Sequence, residues 1–498
     1  MSDRATSGTW FGHPRGLATL FFTEMWERFS YYGMRALLLL YMTAAVGAGG
    51  LGMSDAQGGA VYGLYTAASY LATLPGGWIA DRLLGQRRCV FWGGVLISAG
   101  NFALSLPAGM TVFYAGLLIV SLGTGLLKPN CTCLVGELYK GDSGSRRDAA
   151  FSIYYVGINL GALSPLIVGT IGETAGYRFG FLASSLGMLL GLIQYRFTGR
   201  RLGDAGLTPH PAPERERVRA RRLLQAALVL IGVVGVLMML GRLDLDVVQL
   251  ARATGAAMVA LAVAFFGSVL LSGGLSGTEK KSVAVIAIFF VCAALFWAGY
   301  EQAGSTLNLF ARDHTDRSFL GSWFASGQHP VSWYQIAQAV FVLVFAPVFA
   351  WIWVNLGRRG RDPSAGAKFG LGLLQLGLSF LVMMVAAQIV RRTGALVLPG
   401  WLILTYLLQT TGELCLSPIG LSNVTKLAPA RYGAQMMGTW FLGAAIGNLA
   451  AGLIGGEIGS GVADMPAQFL RMALIGCASG LVMLLLARPV RAWMGAVR

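Results

Sequence analysis

In the stretch FFTEMWERFSYYGMRALLLLYM, the residues Glu24, Glu27, Arg28, Tyr31 and Arg35 interrupt an otherwise apolar run. Steps of three and four link them, which places them on one face of a helix. Phe21, Phe22, Met25, Phe29 and a leucine run fill the other faces. A charge at the centre of a bilayer-spanning helix costs about 2.5–3.5 kcal/mol on insertion scales, so such a stripe must face protein or a wet cavity. One reading is a structural ion-pair network that pins neighbouring helices. Two acids within one turn favour another. They repel when both are ionised unless Arg28 compensates, and a carboxyl that gains and loses its proton as access changes is a proton carrier.

Other apolar runs hold matching charges. Lys128 sits in GTGLLKPN ahead of Pro129, where a backbone is expected to open and host a polar group. Glu301, in LFWAGYEQAGSTLNLF, and Glu413, in YLLQTTGELCLSPIG, are lone acids in the second half of the chain. Cations thus collect in the first half (Arg28, Arg35, Lys128) and acids in the second. A carboxylate docks with Arg or Lys and an ammonium with Glu, so the set suits a small zwitterion. Tyr31, Tyr70, Tyr154, Tyr155, Trp297, Trp333 and Trp440 supply apolar bodies with hydrogen-bonding tips for a pocket, or for helix packing and the interfacial belt.

The same inventory excludes other chemistry. His13, His210, His314 and His329 all fall outside the apolar runs, so carboxylates rather than histidines must carry protons. Cys89, Cys131, Cys133, Cys292, Cys415 and Cys477 lie within apolar runs without a C-x-x-C pair and read as small buried hydrophobes. Neither a catalytic set nor a metal site is expected. With no G-x-x-x-x-G-K-[ST] loop, the energy source is expected to be a proton gradient rather than a bound cofactor or nucleotide.

The elements that position these residues follow from composition. The 498 residues are 55% hydrophobic and 12% charged, with 69 glycines. Soluble domains carry about 25% charged residues. Glycine lets membrane helices approach closely. Apolar windows of about 19 residues give spans near 17–46, 56–80, 88–107, 111–138, 149–173 and 179–197. A polar stretch, RFTGRRLGDAGLTPHPAPERERVRARR, reads as a linker. Runs near 223–241 and 248–272 precede a last series near 282–311, 331–355, 369–390, 397–427, 433–456 and 467–487.

The formal charge of +16 comes from Lys and Arg in short loops, which points to membrane topology rather than nucleic acid. Arg82, Arg87, Arg88, Lys140, Arg146, Arg147, the linker, Arg358, Arg359 and Arg361 alternate with loops such as GAGGLGMSDAQGG that hold no Lys or Arg, so both termini are expected in the cytoplasm. Arg391 and Arg392 lie on the other side against this rule. No secretory signal peptide is evident at the N-terminus.

Three segments carry a family resemblance. Glu24-Met-Trp-Glu27-Arg28-Phe29, with Tyr31, Tyr32, Gly33, Met34 and Arg35, resembles the E-x-x-E-R-F motif of the proton-dependent oligopeptide transporters, a family of the major facilitator superfamily. GGWIADRLLGQRR (76–88) is similar to the family's inner-loop signature, and FSIYYVGINLGAL (151–163) to its span-five signature. The segments around Lys128, Glu301, Glu413 and Trp440 match as well.

The resemblance implies an all-α membrane protein of the major facilitator fold: two six-helix bundles with two extra helices between them, about 14 transmembrane helices. The domains expected are 1–197, a linker at 198–222, extra helices at 223–280 and a second bundle at 281–498, with the substrate site near the midplane. It implies proton-coupled import of di- and tripeptides, with Glu24, Glu27, Arg28, Lys128 and Glu301 coupling protons. Arg35 and Lys128 would neutralise the peptide carboxylate, Tyr31, Tyr70 and Asn159 hold its backbone, and Glu413 with Ser417 take its amino group. Tyr155, Trp297 and Trp440 are candidate pocket walls. In span eight the family's Asn-Pro pair is replaced by Gln338-Ala339, which keeps an amide and loses a kink. Relatives that carry nitrate, nucleosides or drug-like molecules supply the alternative cargo; a non-transport membrane protein is the reading from another class. The chain is expected to be a monomer in a bacterial-type inner membrane, contacting lipid but no nucleic acid.

Overall fold

The computed structural model describes residues 9–495 except 141–143, 210–212, 241, 243–245 and 459–460, so His210 and part of the expected linker lie outside the described residues. Backbone polar groups in a bilayer must be satisfied within the chain, and helices do this segment by segment. The rods run Arg15–Thr43; Asp55–Leu71 continued by Thr73–Ile79 and a π-helical turn Ala80–Leu84; Gln86–Ser105; Gly109–Leu138; Gly144–Gly161 with Val168–Thr174; and Tyr177–Thr198. Two more follow, Glu214–Met239 and Val247–Ser272. The last six are Gly277–Tyr300 with Thr306–His314; Ile336–Arg358; Ala365–Thr393; Gly400–Leu427; Gly433–Ile458; and Met465–Met494. This is the expected order of six, two and six.

Nine helices among the described residues are long and apolar enough to cross a membrane by composition alone. The first rod, Arg15–Thr43, is not one of them because of the charges it carries. A short antiparallel pair, Thr9–Trp10 with His13–Pro14, precedes it, and His13 Nδ1 lies 2.7 Å from the Tyr139 hydroxyl.

The chain clusters into two compact units, residues up to 37 with 68–246, and 38–67 with 247–498. The dividing lines fall inside the first two rods and between the two extra helices. Glu214–Met239 belongs to the first unit, where Glu216 pairs with Arg82. Its start at Glu214 shortens the expected linker: the Arg-rich sequence before residue 223 continues the apolar helix as its polar first turns. Val247–Ser272 belongs to the second unit, where Phe266 meets Phe290 with ring centroids 5.5 Å apart.

The core of the first unit gathers Leu17, Leu20, Leu127, Cys131, Leu134 and Tyr154. Cys131 fits the expectation of a small buried hydrophobe. Cys133, two residues on, is exposed, because a step of two on a helix turns a side chain to the other face. Pro129 does not open its helix; Gly109–Leu138 is continuous through it.

Gly161 lets the helix Gly144–Gly161 rest on the first rod. A Cβ there would strike the Met25 carbonyl oxygen and stand 2.6 Å from Arg28 Cβ. Gly161→Ala is therefore expected to destabilise the protein by about 1–3 kcal/mol, the range for overpacking. A lowered midpoint of thermal unfolding in detergent checks this, and an unchanged midpoint contradicts it.

Candidate functional site

Each unit holds a buried titratable cluster. In the first, Glu24, Glu27 and Arg28 are almost completely buried, at 1%, 0% and 4% exposure. Arg28 Nε donates to Glu24 Oε1 at 3.0 Å. The same nitrogen is 2.6 Å from Glu27 Oε2, yet neither Glu27 oxygen accepts a hydrogen bond, so that contact is an ion pair without directed donation. Arg28 Nη2 also lacks an acceptor.

The second oxygen of Glu24 accepts a 2.6 Å hydrogen bond from the Tyr154 hydroxyl, and the Cys131 thiol lies against both groups. Glu24 is thus held at both oxygens while Glu27 is held by charge alone. Two carboxylates against one guanidinium leave the cluster one negative charge in excess when all are ionised. Lys128 acts on Glu27 electrostatically, and its Nζ lies 4.5 Å above the Tyr70 ring. A buried pair of this kind is weak evidence for stability, since desolvation offsets its attraction.

Arg35 is buried one turn after Tyr31, with its guanidinium carbon 5.9 Å from the Tyr32 ring; Arg28 stands 5.4 Å from the Tyr31 ring. Asn159 is buried and its Nδ2 donates to the Tyr155 carbonyl at 2.9 Å. The Tyr155 side chain is 40% exposed, whereas Tyr154 is the one that reaches into the charged cluster. Adjacent residues on a helix diverge by about 100°, so the two tyrosines point in different directions.

In the second unit the rod that begins at Gly277 breaks at Glu301–Gly304, and Glu301 is buried at that break. Its neighbour Tyr300 donates through its hydroxyl to Glu413 Oε2 at 2.6 Å. Trp297 packs edge-on to Tyr300, with centroids 5.4 Å apart. Trp297 Nε1 and Ser417 Oγ are buried with no hydrogen-bond partner among the described residues.

Gln338 Nε2 reaches Gln409 Oε1 at 3.5 Å, the long limit of a hydrogen bond, so its amide stands beside a fully buried one. Trp440 lies over Gly420, where any Cβ would collide with its indole ring. Trp333 sits apart from these, near His329 and Phe324. Tyr300 is a site residue that the sequence did not single out, and Tyr154 stood out there as one of several pocket aromatics rather than as the partner of Glu24. The signal that could have found them was a tyrosine beside an intramembrane acid in one case and a tyrosine within a motif in the other.

Buried carboxylates held by guanidinium and phenol groups within long apolar helices mark a multi-pass membrane protein. The POT family model matches residues 87–458. The chain is 40% identical to "Peptide transporter YePEPT" of Yersinia enterocolitica subsp. palearctica, covering 97% of this chain and 96% of that one. It is 36% identical to "Di-/tripeptide transporter" of Lactococcus lactis subsp. cremoris, covering 99% of both. Among solved structures, a mutant of the peptide transporter POT in complex with alafosfalin superposes with a TM-score of 0.88 at 39% identity, covering 98% of each chain. A POT family transporter in complex with 5-aminolevulinic acid gives 0.87 at 33% identity, covering 97% of this chain and 98% of that one. The chain belongs to the POT family.

Proposed function

We propose that this protein is a proton-coupled symporter that imports di- and tripeptides by alternating access and performs no covalent chemistry on them. The observation that carries the proton half is Glu27: fully buried, paired with Arg28, accepting no hydrogen bond, and within the field of Lys128. A carboxylate held only by charge is the member of the cluster that a proton neutralises with least loss of bonding. Protonating it removes the excess negative charge and releases Lys128 for another anion. Glu24, fixed at both oxygens by Arg28 and Tyr154, keeps the guanidinium in place meanwhile.

The relatives named for peptides supply the cargo. Arg35 and Lys128 take the peptide carboxylate, Glu413 takes the ammonium, and Tyr31, Tyr70 and Asn159 hold the backbone. Gln338, Trp297, Ser417 and Trp440 complete the walls, and Glu301 changes partner between states. Ligand and proton shift the equilibrium because each binds one state better than the other. The protein works as a monomer in the inner membrane with both termini cytoplasmic, the orientation that gathers its short basic loops inside.

Reconstituted into liposomes, the protein should concentrate a labelled dipeptide when the outside is made acidic. No uptake driven by the acid gradient would remove the proposal.

A further inference from the structure

At the Arg-rich end of the first unit, the helices Gln86–Ser105 and Tyr177–Thr198 enclose a cleft of about 460 Å³. Arg87, Arg88, Arg196 and Arg200 line it together with Trp92 and Tyr195, and among the described residues no carboxylate does. Arg87 is tied into the fold, since its Nη2 donates to the Gly203 carbonyl and its own carbonyl accepts from the Tyr195 hydroxyl at 3.3 Å. Arg88, Arg196 and Arg200 are exposed and have no ion-pair partner among the described residues. Three guanidinium groups without a counter-charge repel one another weakly, and a cleft that gathers them favours an anion.

The apolar residues in and beside the cleft say which anion. Phe91 and Trp92 line it. Beside that lining, Leu186, Leu190, Ile193 and Phe197 follow at steps of four, three and four, so they form one stripe on the second helix, and all are 45–81% exposed. The stripe runs from within the spanning helix to the arginines at its end. Trp92, 53% exposed one turn after Arg88, flanks the same end. A phosphate in the arginine fork and an acyl chain along the stripe satisfy both features at once, and basic pockets between spanning helices suit acidic headgroups. Inorganic phosphate would leave the stripe unused.

We infer that this cleft is a binding site for one anionic glycerophospholipid of the leaflet at the Arg-rich end. Arg88, Arg196 and Arg200 hold its phosphate, and the stripe ending at Phe197 holds an acyl chain.

The test is native mass spectrometry of the full chain, delipidated in detergent and titrated with phosphatidylglycerol. The wild type should retain one lipid tightly, and Arg88→Gln/Arg196→Gln/Arg200→Gln should weaken that retention at least tenfold. A control with the same loss of charge, Arg358→Gln/Arg359→Gln/Arg361→Gln, should leave it within about threefold. Equal weakening by both would overturn the site in favour of general charge attraction. Displacement of the lipid by inorganic phosphate or glycerophosphate would overturn it in favour of a free-anion site. Should the triple variant lose its monodisperse elution, the single Arg196→Gln variant decides, with retention equal to wild type counting against the site.

Discussion

Glu27→Gln is expected to abolish gradient-driven peptide uptake while leaving peptide counterflow near the wild-type rate. Glutamine keeps the shape of the side chain but cannot exchange a proton. It also removes the excess negative charge from the Glu24–Glu27–Arg28 cluster, leaving a neutral Glu24–Arg28 pair that is already hydrogen-bonded at 3.0 Å and capped by Tyr154 at 2.6 Å. The fold should therefore survive, and the unfolding midpoint should hold or rise, because a buried carboxylate without hydrogen bonds is gone. What is lost is the free-energy link between proton and peptide. Such couplings amount to about 1–3 kcal/mol, a factor of roughly 5–150 in affinity, and without one the acid gradient drives no accumulation. Uptake by the wild type should increase as the outside is acidified, and uptake by the variant should be flat. Paired measurements of driven uptake and counterflow in the same liposomes check this. Wild-type accumulation by the variant would take Glu27 out of the coupling path, and loss of both activities would make its role structural.

The second large effect is expected at Glu413. Its Oε2 accepts from the Tyr300 hydroxyl at 2.6 Å, a bond that the amide oxygen of glutamine can also accept. Glu413→Gln thus preserves the local packing around Trp297 and Tyr300 and removes only the charge. A hydrogen bond to a charged group contributes about 1.5–3 kcal/mol, so peptides with a free amino group should lose about 10–150-fold in affinity, seen in KM more than in turnover. An N-acetylated dipeptide, which has no ammonium, should be handled alike by wild type and variant. Equal losses for both peptides would show that Glu413 supports the fold around it rather than the peptide amine.

Both predictions depend on residues that sequence reasoning could name but not place. The face carrying Glu24, Glu27, Arg28, Tyr31 and Arg35 was legible because helical spacing is a local property and charge in an apolar run stands out. The number and order of spans was legible for the same reason. Lys128, Glu301 and Glu413 were conspicuous as exceptions to apolar surroundings. Their partners were not conspicuous. Tyr154 and Tyr155 have the same chemistry and stand side by side, yet one bonds Glu24 across 130 positions of sequence and the other is 40% exposed. The rotation of a helix about its axis chooses between them, and that rotation is set by neighbours such as the Gly161 contact with Met25 and Arg28.

The second unit shows the same division. Composition marked 282–311 as one apolar run, but the backbone breaks at Glu301–Gly304, and the break places the acid among packed residues. Gln338 stood out as a departure from a motif, and only packing shows its amide beside that of Gln409, 71 positions away. Conversely, Pro129 suggested an opening that its continuous helix does not have, since a spanning helix tolerates proline when nearby groups satisfy the freed backbone.

The sequence by itself determined that this is a many-span helical membrane protein with titratable stripes inside its spans, and its motifs determined the family it resembles. These follow from hydropathy and from the fixed geometry of the helix, which act over neighbouring residues. The tertiary structure decided which tyrosine supports which acid, which carboxylate is left without a hydrogen bond, and which arginines gather without a counter-charge. Those outcomes depend on helix rotation and register between segments distant in the chain, and no local periodicity encodes them.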